Sequence, residues 1–186
     1  MQQRLTEIIH FLESAHADLL RAYSAIPESR RAERPAADAW TPAEVLDHLA
    51  LVESGAALLV EKRVSRAAER GAARDAGEDA GSSLGVLDRY GVESRERKLP
   101  APDIVKPRAG VAAADAEAAL ARSREALRAA VGRADGFDLS ALKATHAALG
   151  ELDLYQWLLF VGKHEQRHTA QLRATEAAFA ERVSAG

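Results

Sequence analysis

The sequence predicts an all-α protein, a four-helix bundle in a single domain spanning residues 1–186, with a long connection between its second and third helices. Three observations lead there. Four segments repeat apolar residues at three-and-four spacing, which marks a helix with one buried face. Hydrophobic residues make up 47% of the chain but aromatics only 5%, so the apolar content is mostly Ala, Leu and Val, a mixture that favours helices over strands. Helix start and stop residues also flank the segments where the periodicity begins or ends. With 186 residues the chain can bury one core and is too short for two comfortable domains.

The first helix carries Leu5, Ile8, Ile9, Leu12, Leu19, Leu20 and Tyr23 at helical spacing and ends near Ile26, because Pro27 follows. His16 shares its apolar side and reads as a satisfied boundary histidine; His10 reads as a surface residue. Residues 27–40 are polar and proline-bounded, a loop. The second helix then opens with complete local chemistry. Thr41 is the N-cap, Pro42 the first helical residue and Glu44 the return arm of a capping box, while Trp40 is placed to staple onto Val45. Val45, His48, Leu49, Val52, Ala56 and Leu59 form its inward stripe, with His48 in the middle.

After Val64 the pattern gives way to charge and then to glycine, so the second helix is expected to fray there. Lys62, Arg63, Arg66, Arg70 and Arg74 are interleaved with Glu61, Glu69 and Asp75 and lack aromatics for base stacking; they read as a solvated face. Residues 71–112 have little periodicity, and Pro100, Pro102 and Pro107 keep the later part extended. A stretch that long inside a compact domain is a crossover or a functional loop. The third helix runs from about Ala113 to Ala134 on Leu120, Leu127 and Val131. Residues 135–152 are a second connection, with His146 near its end. Asp153 then caps the fourth helix, Gln156 repeats the capping-box logic, and the helix continues to about Val183. A long central connection lets the second and third helices run in the same direction.

A net charge of −3 gives no general attraction to phosphate backbones or anionic lipid, so neither nucleic acid nor a membrane is the expected partner. The chain has no cysteine, which removes a disulfide framework, a cysteine nucleophile and thiolate ligands together. The N-terminus lacks the apolar core of a signal peptide and no run approaches the length of a membrane span, so a soluble cytoplasmic protein is expected.

The chemistry gathers in residues 153–172. His164 and His168 stand four apart, so both imidazoles leave one helix face one turn apart. Trp157, Phe160, Val161 and Leu172 fall near the same stripe, which turns the pair inward. Inward histidines ask for a metal, a carboxylate partner or buried water. If the second and fourth helices are neighbours, His48 can join them, and three neutral imidazoles suit Zn, Ni, Fe or Cu while leaving coordination positions open. The same spacing is also common on helices that bind nothing. His164-Glu165-Gln166-Arg167-His168 matches the zinc-protease motif H-E-x-x-H, but no third ligand follows at a workable distance and no strand is evident to hold a peptide. Glu165 points about 100° from the histidine stripe and is expected to face solvent or a neighbouring helix's edge.

Trp40-Thr-Pro-Ala-Glu-Val-Leu-Asp-His48-Leu-Ala, then the stretch from His146 to Phe160, then His164-Glu-Gln-Arg-His168-Thr-Ala-Gln171, together resemble the DinB-like (DinB/YfiT) superfamily of metal-dependent proteins. The resemblance implies an up-down-down-up bundle with a divalent metal, nickel or zinc in characterised members, on His48, His164 and His168. It also implies a transferase or isomerase that uses a small-molecule thiol, of the bacillithiol, mycothiol or glutathione type, against an electrophile. Gln171, His146 and Tyr155 are the further candidates near the site, although Ala147 stands where the family often has Pro. A metal-dependent hydrolase with Glu165 or another carboxylate as base, and a non-catalytic metal-binding or interaction module, are the alternatives. Apolar helix faces leave a homodimer possible.

Overall fold

In a computed structural model, which describes residues 1–71, 84–96 and 101–184, the chain is mostly helical. Its long helices are α1 (Gln3–Ser24), α2 (Pro42–Glu69), α3 (Ala113–Ala134) and α4 (Leu154–Ser184). Each begins or ends for a local reason. Thr41 Oγ1 accepts from the Glu44 amide at 3.0 Å while the Glu44 carboxylate accepts from the Thr41 amide at 2.9 Å, closing the capping box at the head of α2. Asp153 and Gln156 make the same reciprocal pair at the head of α4, at 2.9 and 3.0 Å. α2 does not fray at Val64. Val64 and Ala67 are buried and carry its stripe two turns further, until Gly71 leaves the helix at φ +66°.

The capping box at Thr41 is also an anchor. Beyond its cap, the Glu44 carboxylate accepts from the Arg34 guanidinium at 2.6 Å and the Gly110 amide at 3.3 Å, so one buried side chain holds two connections. Thr41→Ala is expected to lower stability by about 0.5 to 2 kcal/mol through the lost cap. Chemical denaturation should register that loss with metal content unchanged; a variant as stable as wild type would show that the cap adds nothing.

Residues 135–152 are not a plain connection. Lys143–His146 (β1) and Gly150–Asp153 (β2) pair antiparallel, with Ala144 opposite Leu152 and both side chains buried. Gly150 sits at φ +80°, which lets the chain reverse between them, and the Trp157 indole N–H donates to the Ala144 carbonyl at 3.2 Å, pinning the hairpin to α4. The central connection is also less extended than its prolines suggest. Leu84–Tyr90 and Asp103–Val105 are short 3₁₀ helices. Leu87 is fully buried, and the ammonium of Lys163 on α4 reaches Asp88 at 2.7 Å and Glu93 at 3.5 Å.

α2 packs along α3, α1 along α4, and α2 also meets α4. The pairs follow in order. Glu53 meets Ser123 and Glu61 meets Arg133, so α2 and α3 run the same way. Gln2 meets Tyr155, His16 meets Glu165 and Arg30 meets the Phe179 carbonyl, so α1 and α4 do too. α1 comes so close to α4 that a Cβ at Gly162 would lie 2.4 Å from the Phe11 ring. Glycine is there for space.

The buried apolar residues form two clusters. One holds Leu5, Ile8, Leu12, Ala56, Val60, Leu127, Leu158 and Val161; the other holds Leu19, Tyr23, Leu46, Leu49, Leu120 and Leu172. The break between them falls at His16, Glu53, Arg124 and Glu165. All four are side chains with a charge or a ring nitrogen. Arg124 Nη2 donates to Glu165 at 2.7 Å, its Nε lies 2.9 Å from Glu53, His16 Nδ1 lies 2.9 Å from Glu165, and the Ser123 hydroxyl donates to Glu53 at 2.6 Å. Each long helix contributes to this layer.

Candidate metal centre

His48 leaves α2 from the middle of its inward stripe and meets His164 and His168 from α4. The His164 Nε2 atom lies 3.3 Å from His48 Nε2 and 3.2 Å from His168 Nε2, and the three ligand atoms lie within 4.8 Å of one another. Four-coordinate metal–nitrogen bonds of about 2.0 to 2.1 Å hold their donor atoms about 3.3 Å apart, and the two pairs made by His164 already have that spacing. Three histidines are positioned to bind a metal ion.

Hydrogen bonds fix two of the tautomers. His48 Nδ1 donates to the Val105 carbonyl at 2.6 Å and His168 Nδ1 donates to Gln171 Oε1 at 2.8 Å. A carbonyl can only accept, so the proton sits on Nδ1 in both rings and each Nε2 presents a lone pair to the centre. A cation between those lone pairs and His164 Nε2 would be held by both, and imidazolium is not that cation, since burial disfavours the charged ring. Burial holds His48 below the ordinary histidine pKa, and burial together with the neighbouring His168 and His48 holds His164 well below it. Burial, then repulsion from His48, takes His168 down to about 3. At neutral pH all three are metal-ready.

Aromatic rings wall the centre. The Trp40 ring lies 4.9 Å from His48 and 6.4 Å from His168, and Phe160 stacks on His164 at 5.3 Å. The expected staple at Trp40 therefore has a second office, as a face of the site. His146 stands behind Phe160 at 4.4 Å, against Trp157. Its Nδ1 accepts from the Ala148 and Leu149 amides at 3.1 and 3.2 Å, which leaves its proton on Nε2. Gln171 is next to the centre as a ring orienter. Tyr155 is not beside it: the residue lies nine positions before His164, about 13 Å along the helix, with its hydroxyl donating to Gln2 and its ring under Arg4. Of the two surroundings expected for Glu165, solvent or a neighbouring helix, the second holds: it is buried about 100° round α4 from the histidines, against α1 and α3.

The Val105 carbonyl was not readable as a site group, because nothing in its local sequence says that the backbone there turns toward His48. Trp40 could have been found. It lies eight residues before His48, just outside a helix whose first turn places it over the same stripe.

The chain is 28% identical to the "Uncharacterized protein YuaE" of Bacillus subtilis (strain 168) over 142 residues, covering 76% of this chain and 80% of that one. No solved structure matches it. Among the described residues no helix is long and apolar enough to cross a membrane. The profile of the DinB superfamily matches residues 12–172, a span that includes His48, His164 and His168, and the chain belongs to that superfamily.

Proposed function

We propose that His48, His164 and His168 hold a divalent transition metal, nickel or zinc, and that the protein is a transferase attaching a small-molecule thiol to an electrophile. The observation that carries this reading is the convergence of three Nε2 atoms, with the His48 and His168 rings fixed from behind by Val105 and Gln171. The parallel pairs α1–α4 and α2–α3 support the up-down-down-up bundle in which such a centre is built between α2 and α4. A metal there would supply the charge that takes the proton from a coordinated thiol, whose free pKa is about 8.5. The chain's own part is to hold the rings, exclude water and seat the substrates. With no cysteine in the chain, the thiol belongs to a substrate of the bacillithiol, mycothiol or glutathione type. Trp40 and Phe160 form apolar walls, and His146, protonated at Nε2, is the group available for proton transfer near the centre.

A hydrolase would want a carboxylate within reach of the attacking water. Glu165 is turned away and engaged by Arg124 and His16. The test offers an electrophile with bacillithiol, mycothiol and glutathione in turn, and separately an ester panel without thiol. Thiol-dependent turnover that His48→Ala removes and Glu165→Gln leaves in the folded protein is expected. Ester turnover without thiol, lost in both variants, would replace the transferase with a hydrolase. No turnover with metal bound would leave a non-catalytic metal-binding module.

A further inference from the structure

Arginines in the described part of this chain usually have an acceptor. Arg31 meets Glu117, Arg108 meets Asp47, Arg124 meets Glu53 and Glu165, and Arg133 meets Glu61. Three that have none among the described residues lie together. Arg63, Arg66 and Arg70 line a cavity of about 300 Å³ between the last two turns of α2 and the start of the hairpin, where Lys143 faces them. At helical spacing the three guanidiniums fall within a stripe about 60° wide, while Glu61 and Glu69 project from other faces. Glu61 is in any case held by Arg133 at 3.0 Å. Among the described residues, Glu151 is the carboxylate paired with the group, 3.3 Å from the Lys143 ammonium.

Like charges one turn apart on a helix repel, so the stripe opposes α2 unless something neutralises it. The negative end of the helix dipole offers partial relief to Arg66 and Arg70 in the last turn. It does not explain Arg63, which lies further back, is half-buried and still opens onto the cavity. The cavity's remaining wall is apolar, Ala67, Ala141 and Leu142. A guanidinium fork matches two oxygens of one carboxylate or phosphate, and three forks plus an ammonium match a ligand bearing several such oxygens.

We infer that this cavity is a binding site for a small multivalent oxyanion, a phosphoryl compound or a polycarboxylate, gripped by Arg63, Arg66 and Arg70 with Lys143 opposite. It is separate from the metal centre: Arg63 is fifteen residues beyond His48 on the same helix, about 22 Å at the standard rise. Nothing in the inference depends on the metal or on thiol chemistry.

The test is calorimetric titration of the full-length, metal-loaded protein with pyrophosphate and with citrate, at fixed ionic strength. Saturable binding of at least one anion, one per chain and weaker as salt rises, is expected. Pyrophosphate alone identifies a phosphoryl site, citrate alone a carboxylate site, and both a general oxyanion site. Arg63→Gln, Arg66→Gln and Arg70→Gln combined should weaken binding at least tenfold, with metal content and helical circular dichroism unchanged. Should the triple variant fold poorly, the exposed Arg66→Gln alone should weaken binding at least threefold. Absence of saturable binding to either anion, or unchanged affinity in the variants, overturns the assignment and leaves the arginines as a solvated face.

Discussion

His168→Ala is expected to lose stoichiometric metal, with affinity falling by well over 100-fold while helical circular dichroism stays largely intact. Removing a group that merely orients a ligand costs 10- to 100-fold, so Gln171→Ala should fall in that range and the ligand itself beyond it. Elemental analysis of protein purified without a histidine tag reads the difference. Full occupancy in His168→Ala would sink the site. Acid behaviour supplies a second readout. Burial holds the folded-state pKa of His168 at about 3, whereas the unfolded chain takes up that proton near 6.5. The unfolded state therefore binds more protons across that window, and the metal-free protein loses stability as pH falls from about 6.5 toward 3. His168→Ala should flatten that part of the profile.

Arg124→Met should be the most destabilising single change outside the metal ligands, at about 3 to 5 kcal/mol, because it strands two buried carboxylates. Both Glu53 and Glu165 are only 2% exposed and share this guanidinium, which is itself almost fully buried. Burial already raises Glu53 to about 7, and the nearby Glu165 adds to the rise. Without Arg124 the rise would be larger. A carboxyl whose folded pKa is raised contributes stability below its unfolded value and loses it as pH climbs through the folded value. The Arg124→Met defect should thus be mild near pH 4.5 and deepen above pH 7. Adding Glu53→Gln and Glu165→Gln should recover part of the loss. A pH-independent defect that neither substitution relieves would mean that the loss is one of packing alone.

Helix positions and the His164–His168 pair were legible because both depend on spacing along one chain, whereas His48 joined them through the condition that α2 and α4 are neighbours and through the family resemblance. The i, i+4 pair fixes His164 and His168 on one face, and the capping residues at Thr41, Asp153 and Gln156 act within three residues of where they stand. What was missed depends on partners far apart in sequence. The angle placed Glu165 toward solvent or a neighbouring helix's edge, and its own helix could not announce which, since His16 and Arg124 wait on two others. The hairpin escaped for a different reason. Its strands are four residues each with one buried side chain apiece, Ala144 and Leu152, too few for alternation to register. Val64 and Ala67 did carry the signal that α2 continues, but the surrounding charge masked it.

The ring of Phe11 against Gly162 acts as an axial detent. Gly162 is a notch in α4, and the positions one turn to either side, Leu158 and Gln166, present side chains instead. Sliding α1 by one turn, about 5.4 Å, would drive the ring out of the notch and onto one of them. α1 contributes no histidine to the cluster, yet this contact sets the height at which His16 meets Glu165 on the helix that carries His164 and His168.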